Sequence, residues 1–122
     1  MVINPIPQAM EFVKAGKVRA LAVTTKERLA ALPDLPPVAQ FVPGYEAIGW
    51  YGIGAPKNTP GNIIDKLNAA VNAALEQTTP KARLAALGVE PMKKTPAEFA
   101  KFICDENNKW SKVIHTANLK LD

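Results

Sequence analysis

The sequence predicts an α/β fold with few strands and much helix. Three observations carry that prediction. Residues 18–24 (VRALAVT) form a nearly continuous apolar run of strand length, the pattern of a strand buried on both faces of a parallel sheet. Residues 47–54 place Trp50 and Tyr51 among Gly49, Gly52 and Gly54, which suits a strand over which another backbone passes closely. Thr59-Pro60, Thr79-Pro80 and Thr95-Pro96 each read as a helix start, with threonine as the N-cap and proline at the first helical position.

The elements follow in order. Residues 7–15 predict a short helix, with Pro7 in its first turn, Met10 and Val13 on one face, and Gly16 as the left-handed stop. The strand at 18–24 comes next, then a short helical turn over 26–32. Pro33, Pro36, Pro37 and Pro43 exclude a long helix or a central strand from residues 33–44. That stretch reads as an ordered surface loop with a helical turn over 38–41. The strand at 47–54 and a turn at 55–58 lead to the helices.

In the first of these helices Ile64, Leu67, Val71, Ala74 and Leu75 share a face. The second is short and ends at Gly88; residues 89–92 after it predict an edge strand. The third is the longest element. Thr95 with Glu98 three residues on makes a capping box, and the apolar face is Phe99, Phe102, Ile103, Trp110, Val113, Ile114 and Ala117. Strands that are apolar on both faces cannot complete a sheet alone. The sheet is incomplete and asks for further strands, for which other copies of the chain are one source. A homo-oligomer paired through the open edges is therefore expected.

A chain of 122 residues with 48% hydrophobic and 21% charged residues is long enough for one globular domain with a modest core. No apolar run approaches the roughly 20 residues that span a membrane. The start, MVINPIPQAMEFVK, lacks the basic and long apolar segments of a secretory signal, so no signal peptide is expected within this chain. The net charge of +4 is mild and spread along the chain, without interleaved aromatics. A solvated surface rather than a nucleic-acid groove is expected.

Catalytic chemistry finds little material. The single cysteine, Cys104, excludes an internal disulfide. On one intact helix Cys104 and His115 would lie about 16 Å apart, too far for a thiolate–imidazole pair. Cys104 reads as a packed residue and His115 as a surface residue near a helix C-terminus. One histidine and one cysteine fall short of a metal site, and no glycine loop has phosphate-binding spacing. Asp105 and Glu106 are adjacent and point to different faces, which predicts solvation of both. No enzyme activity, metal or cofactor is expected.

The segments KAGKVRALAVTTKERLAALPDLPPVAQF (14–41) and PGYEAIGWYGIGAPKNTPGNIID (43–65) resemble the C-terminal part of the Bug, or TctC-like, family. These are extracytoplasmic solute-binding proteins of tripartite tricarboxylate transporters. The resemblance implies the C-terminal part of a two-lobed, type II periplasmic-binding-protein-like α/β fold: an incomplete sheet plus three C-terminal helices. It casts residues 1–46 as a remnant of the second lobe, 47–58 as a crossing strand and turn, and 59–122 as the C-terminal helical part of the first lobe. Relatives are longer and carry a signal peptide and a glycine-rich ligand loop ahead of the matched part, so the chain looks like a truncated form.

The resemblance also implies a periplasmic location, a small carboxylate ligand (a di- or tricarboxylate or an amino acid) and membrane permease subunits as partners. Asn4 and Pro5, beside Ile3, correspond to a cleft-lining strand end. Trp50 and Tyr51 point to opposite sides of their strand. Either both pack, one under the helices and one against the proline loop, or Trp50 faces the cleft between lobes. The helix starts at Thr59 and Thr95 are further places where an anion could sit.

Overall fold

The computed structural model of the chain describes residues 1–119. Among them are α1 (Ile6–Lys14), a 3-10 turn (Val38–Gln40), α2 (Gly61–Glu76), α3 (Thr78–Ala86) and α4 (Pro96–Thr116). They are distributed over two compact units. One comprises Met1–Gly54 and Leu75–Pro91, the other Ala55–Ala74 and Met92–Asp122.

In the first unit α1 begins where the Pro5 carbonyl accepts the N–H groups of Gln8 and Ala9, both at 3.1 Å. Pro7 falls in the first turn, where its missing N–H costs no helical bond. The helix closes on Gly16, whose φ of 68° is left-handed. There the Gly16 N–H donates to Val13 and the Lys17 N–H to Phe12, at 3.0 and 2.9 Å. This double bond pattern satisfies carbonyls that the helix end would otherwise leave open. α3 ends in the same way: Gly88, at φ 70°, donates to Ala85 and Val89 donates to Leu84.

Among the described residues the buried apolar side chains are Met10 of α1, with Val23 and Leu29 of the loop region. Gly88 lies against the first of these elements. A Cβ built on it would stand 2.4 Å from Ile6 Cγ2 and 3.2 Å from Met10 Cε. Glycine is thus needed at this position for two reasons, a left-handed backbone and the close approach of α1.

The predicted strands at 18–24, 47–54 and 89–92 do not form ladders among the described residues. Val23 makes one isolated parallel bridge to Pro37. The Val23 N–H donates to Pro36 and the Val38 N–H to Val23, at 3.0 and 2.8 Å. This register uses the groups on either side of Pro37 and does not require a donor from the proline itself. The Thr24 carbonyl accepts the Ala47 N–H at 3.0 Å. The physical reason for the difference is that a strand is defined by its neighbours. Residues 18–24 and 47–54 have the composition of strands but meet each other and the proline loop at single points.

The glycines of the 47–54 run also differ from expectation: no heavy atom lies within 4 Å of a Cβ built on Gly49 or Gly54. No backbone passes over them. The turn expected over 26–32 is present only as a single hydrogen-bonded turn over 29–32, with the Leu32 N–H donating to Leu29 at 3.0 Å, after bends at 24–27. The helical turn expected over 38–41 is present as Val38–Gln40.

In the second unit α2 starts one residue later than predicted. The Thr59 hydroxyl donates back to the Pro56 carbonyl at 2.8 Å instead of capping forward. The Pro60 carbonyl accepts the N–H groups of Ile63 and Ile64. α3, of the first unit, likewise departs from its predicted cap: its N-cap is Gln77, without a side-chain bond, and Thr79-Pro80 lie in the first turn. α4 has the full capping box. The Thr95 N–H donates to Glu98 Oε2 at 2.8 Å, and the Glu98 N–H donates to Thr95 Oγ1 at 3.2 Å. The helix ends on Asn118, at φ 49°, with Asn118 donating to His115 and Leu119 to Ile114.

Candidate functional site

The residues assigned to a ligand cleft all lie in the first unit. Asn4 and Pro5 are exposed at the head of α1, where Pro5 is the N-cap and no side chain caps the helix. The first turn of α1 carries no acidic residue. The positive end of the helix dipole is therefore not neutralised locally. Trp50 sits in the extended run and is 37% exposed, while its neighbour Tyr51 is 80% exposed. Asn4 and Pro5 are brought together with the start of α1, and Trp50 lies in the extended run 47–54.

The first unit also holds a concavity of about 280 Å³ lined by Val13, Ala20, Ala31, Leu32, Pro33, Asp34 and Leu35. None of the three predicted residues lines it. Its one charged group is a carboxylate, the wrong sign for an anionic ligand.

The second unit contains two polar arrangements that the sequence reading missed. On α2, Ile64, Asn68, Val71, Asn72 and Leu75 are half-buried, whereas Leu67 and Ala74 of the predicted face are exposed. Asn68 Nδ2 donates to the Lys94 carbonyl at 2.8 Å, and Asn72 Nδ2 donates to the same carbonyl at 3.3 Å and to Asn68 Oδ1 at 3.1 Å. The pair thus fixes the residue just before the α4 cap. Two asparagines four apart, set between Ile64 and Leu75, are the signal that could have revealed it, because polar groups on a packed face need partners.

The other arrangement corrects the reading of Asp105 and Glu106. Asp105 is exposed and accepts from Lys101 Nζ at 2.6 Å. That hydrogen bond, and then the charge of Asp105, hold the Lys101 ammonium above its ordinary value of 10.5. Glu106 is buried. Its Oε1 accepts a short bond from Lys109 Nζ, and its Oε2 accepts from Trp110 Nε1 at 3.0 Å. Both carboxylate oxygens are satisfied from the same helix, at positions three and four residues on. Lys109 Nζ also stands 5.5 Å from the Trp110 ring centre, and Lys94 Nζ stands 5.5 Å from that of Phe102.

The remaining chemistry-bearing groups are dispersed. Cys104 is exposed, not packed as its neighbours Phe102 and Ile103 suggested. Its Sγ accepts from Asn108 Nδ2 at 3.7 Å. His115 lies in the last turn of α4. Among the described residues no three His, Cys, Asp or Glu side chains form a group able to hold a metal ion.

Comparison with known proteins supplies the frame for these groups. The family model described as tripartite tricarboxylate transporter family receptor matches residues 1–119. Protein BugT of Bordetella pertussis is 33% identical over 120 residues, which are 98% of this chain and 37% of that protein. A solved periplasmic transporter superposes with a TM-score of 0.84 at 36% identity, over 96% of this chain and 39% of that one. The periplasmic binding protein BugD superposes with a TM-score of 0.80 at 30% identity, over 92% and 38%. The chain thus spans little more than a third of the length of BugT and of both solved relatives. The matching family model is thus that of a receptor, and BugD is a periplasmic binding protein.

Proposed function

The chain belongs to the tripartite tricarboxylate transporter receptor family, and from that premise we propose that it is the C-terminal portion of a periplasmic receptor. The whole receptor binds a small carboxylate (a di- or tricarboxylate or an amino acid) and delivers it to membrane permease subunits. The observation that carries this reading is the family match, which runs over residues 1–119. Residues 1–46 belong to the second lobe, 47–58 to a crossing segment and 59–122 to the first lobe. Closure of the lobes about the crossing segment holds the ligand, and no covalent bond is made or broken.

Within this chain, Asn4 and Pro5 at the head of α1 and Trp50 in the crossing run are the contributions to the cleft. The uncapped start of α1, free of acidic residues in its first turn, supports an anionic ligand at Asn4. The test is thermal unfolding of the chain in citrate and in succinate. A ligand present at a hundred times its Kd stabilises the folded form by about 2.7 kcal/mol. A rise in Tm with either acid, diminished by Trp50→Phe, is the expected result. A Tm unmoved by both acids and by glutamate overturns the assignment of these three residues to a ligand site.

A further inference from the structure

The concavity of about 280 Å³ in the first unit plays no part in the carboxylate reading. Its lining comes from three pieces of chain: Val13 near the end of α1, Ala20, and the loop 31–35. Two of the three are pinned. The Gly16 N–H closes the end of α1 by donating to the Val13 carbonyl at 3.0 Å. In the loop the Leu32 N–H donates to Leu29 and the Leu35 N–H to Leu32, at 3.0 and 3.1 Å. Leu29 is buried, and Arg28 Nη1 braces the same loop by donating to the Pro33 carbonyl at 3.0 Å. The hollow is therefore formed before anything enters it, as small-molecule sites usually are.

Its chemistry is one-sided. The lining is apolar except for Asp34. Among the described residues no hydrogen bond or ion pair reaches the Asp34 carboxylate, and the Arg28 guanidinium donates to the Pro33 carbonyl instead. The hollow also lies at the carbonyl end of α1, where the helix dipole places partial negative charge. Lys14 and Arg19, next in sequence to Val13 and Ala20, are exposed and outside the lining. Asp34 is itself exposed, so a charged group can meet it without leaving water. This combination favours a cation with an apolar body.

Size narrows the class. A cavity of about 150 Å³ holds a benzene ring. The 280 Å³ here holds one ring or branched aliphatic group with a short chain. It is just below the usual range of ligand pockets, about 300–1,000 Å³.

We propose that this hollow is a second ligand site, and that it takes a small primary ammonium carried on an aromatic or branched aliphatic body. The body lies among Val13, Ala20, Leu32 and Leu35, and the ammonium meets Asp34 at the solvent. The Asn4–Pro5 grouping and this hollow sit at opposite ends of α1, about 12 Å apart along the helix. The proposal stands independently of the carboxylate reading, and its ligand carries the opposite charge.

The test is an NMR titration of the backbone amides of the 122-residue chain with phenethylammonium chloride at neutral pH. Saturable shifts confined to Val13, Ala20 and residues 31–35 are expected, with a Kd on the order of a millimolar for a ligand of this size. Phenethyl alcohol, the same body without the charge, should bind about fivefold more weakly, the upper end of what an exposed ion pair contributes. Asp34→Asn should weaken the amine by that same factor and leave the alcohol unchanged, with the helix circular dichroism kept. Succinate should leave these amides unmoved, whatever it does at Asn4. No saturable shift at about ten times the expected Kd would overturn the proposal. So would equal binding of amine and alcohol, amine binding undiminished by Asp34→Asn, or succinate moving the same amides.

Discussion

Replacing Gly88 by alanine tests how the first unit is held together, because two separable costs meet at that residue. The first is conformational. At φ 70° an L-residue occupies the left-handed region, which costs about 1–2 kcal/mol. The second is steric. The new methyl would lie 2.4 Å from Ile6 Cγ2 and 3.2 Å from Met10 Cε. Ile6 is β-branched and stiff about χ1, so the relief must come from displacement of α1 rather than from a rotamer change. Forced overpacking of this kind costs about 1–3 kcal/mol.

Gly16 separates the two costs. It has nearly the same φ, 68°, but nothing within 4 Å of its built Cβ. Gly16→Ala should therefore lose only the conformational part, about 1–2 kcal/mol. Gly88→Ala should lose about 2–5 kcal/mol. Urea unfolding followed by helix circular dichroism measures both. The double variant Ile6→Ala/Gly88→Ala removes the Cγ2 that is struck, so the cost of the glycine change in that background should fall toward the Gly16 value. Equal costs at Gly16 and Gly88, or no coupling to Ile6, would refute the argument that α3 is pressed onto α1 at this point.

Other predictions concern α4. Thr95→Ala removes the cap hydroxyl and should cost about 1 kcal/mol, read as lost helicity on urea titration; an unchanged midpoint would contradict the capping box. The Thr95 N–H, and after it the Thr95 hydroxyl, hold the Glu98 carboxyl below the ordinary value of 4.5. A carboxyl lowered on folding stabilises the fold above its unfolded pKa, and that contribution fades as the pH falls through the folded value. Fraying of the first turn of α4 should therefore begin only below pH 4.5, and Glu98→Gln should abolish that acid transition in an NMR titration. Glu106→Gln keeps the shape of a buried side chain but leaves Lys109 without its counter-charge. It should cost about 1–3 kcal/mol, whereas Asp105→Asn on the exposed face should shift the urea midpoint far less.

The helix ends were the most legible part of the fold, because they are determined locally. Gly16 and Gly88 stop α1 and α3 through backbone geometry that glycine adopts without strain. Of the three Thr-Pro pairs only Thr95 is a cap, and only Thr95 has a glutamate three residues on to answer it. Thr59 and Thr79 are followed at that distance by Asn62 and Ala82, and neither completes a box. The strand runs were legible as extended and in need of neighbours, but pairing is a property of two segments. No periodicity within residues 47–54 could say where a partner lies. Family kinship was legible from residues 14–41 and 43–65, and the family match over residues 1–119 agrees with it. The burial of Glu106 was not legible. An adjacent acidic pair looks solvated until the helix phase brings Lys109 and Trp110 to one carboxylate and leaves the other facing water.

The bridge at Pro37 gives the unfinished sheet a polarity. Val23 is served by Pro36 and Val38; Pro37 has no N–H, and its carbonyl is already taken by the Gln40 N–H of the 3-10 turn. A strand approaching from that flank finds neither a donor nor an open acceptor at Pro37. Growth of the sheet is thereby blocked on the Pro37 side. The same residue that anchors the first bridge acts as a stopper against uncontrolled stacking of chains along the other edge.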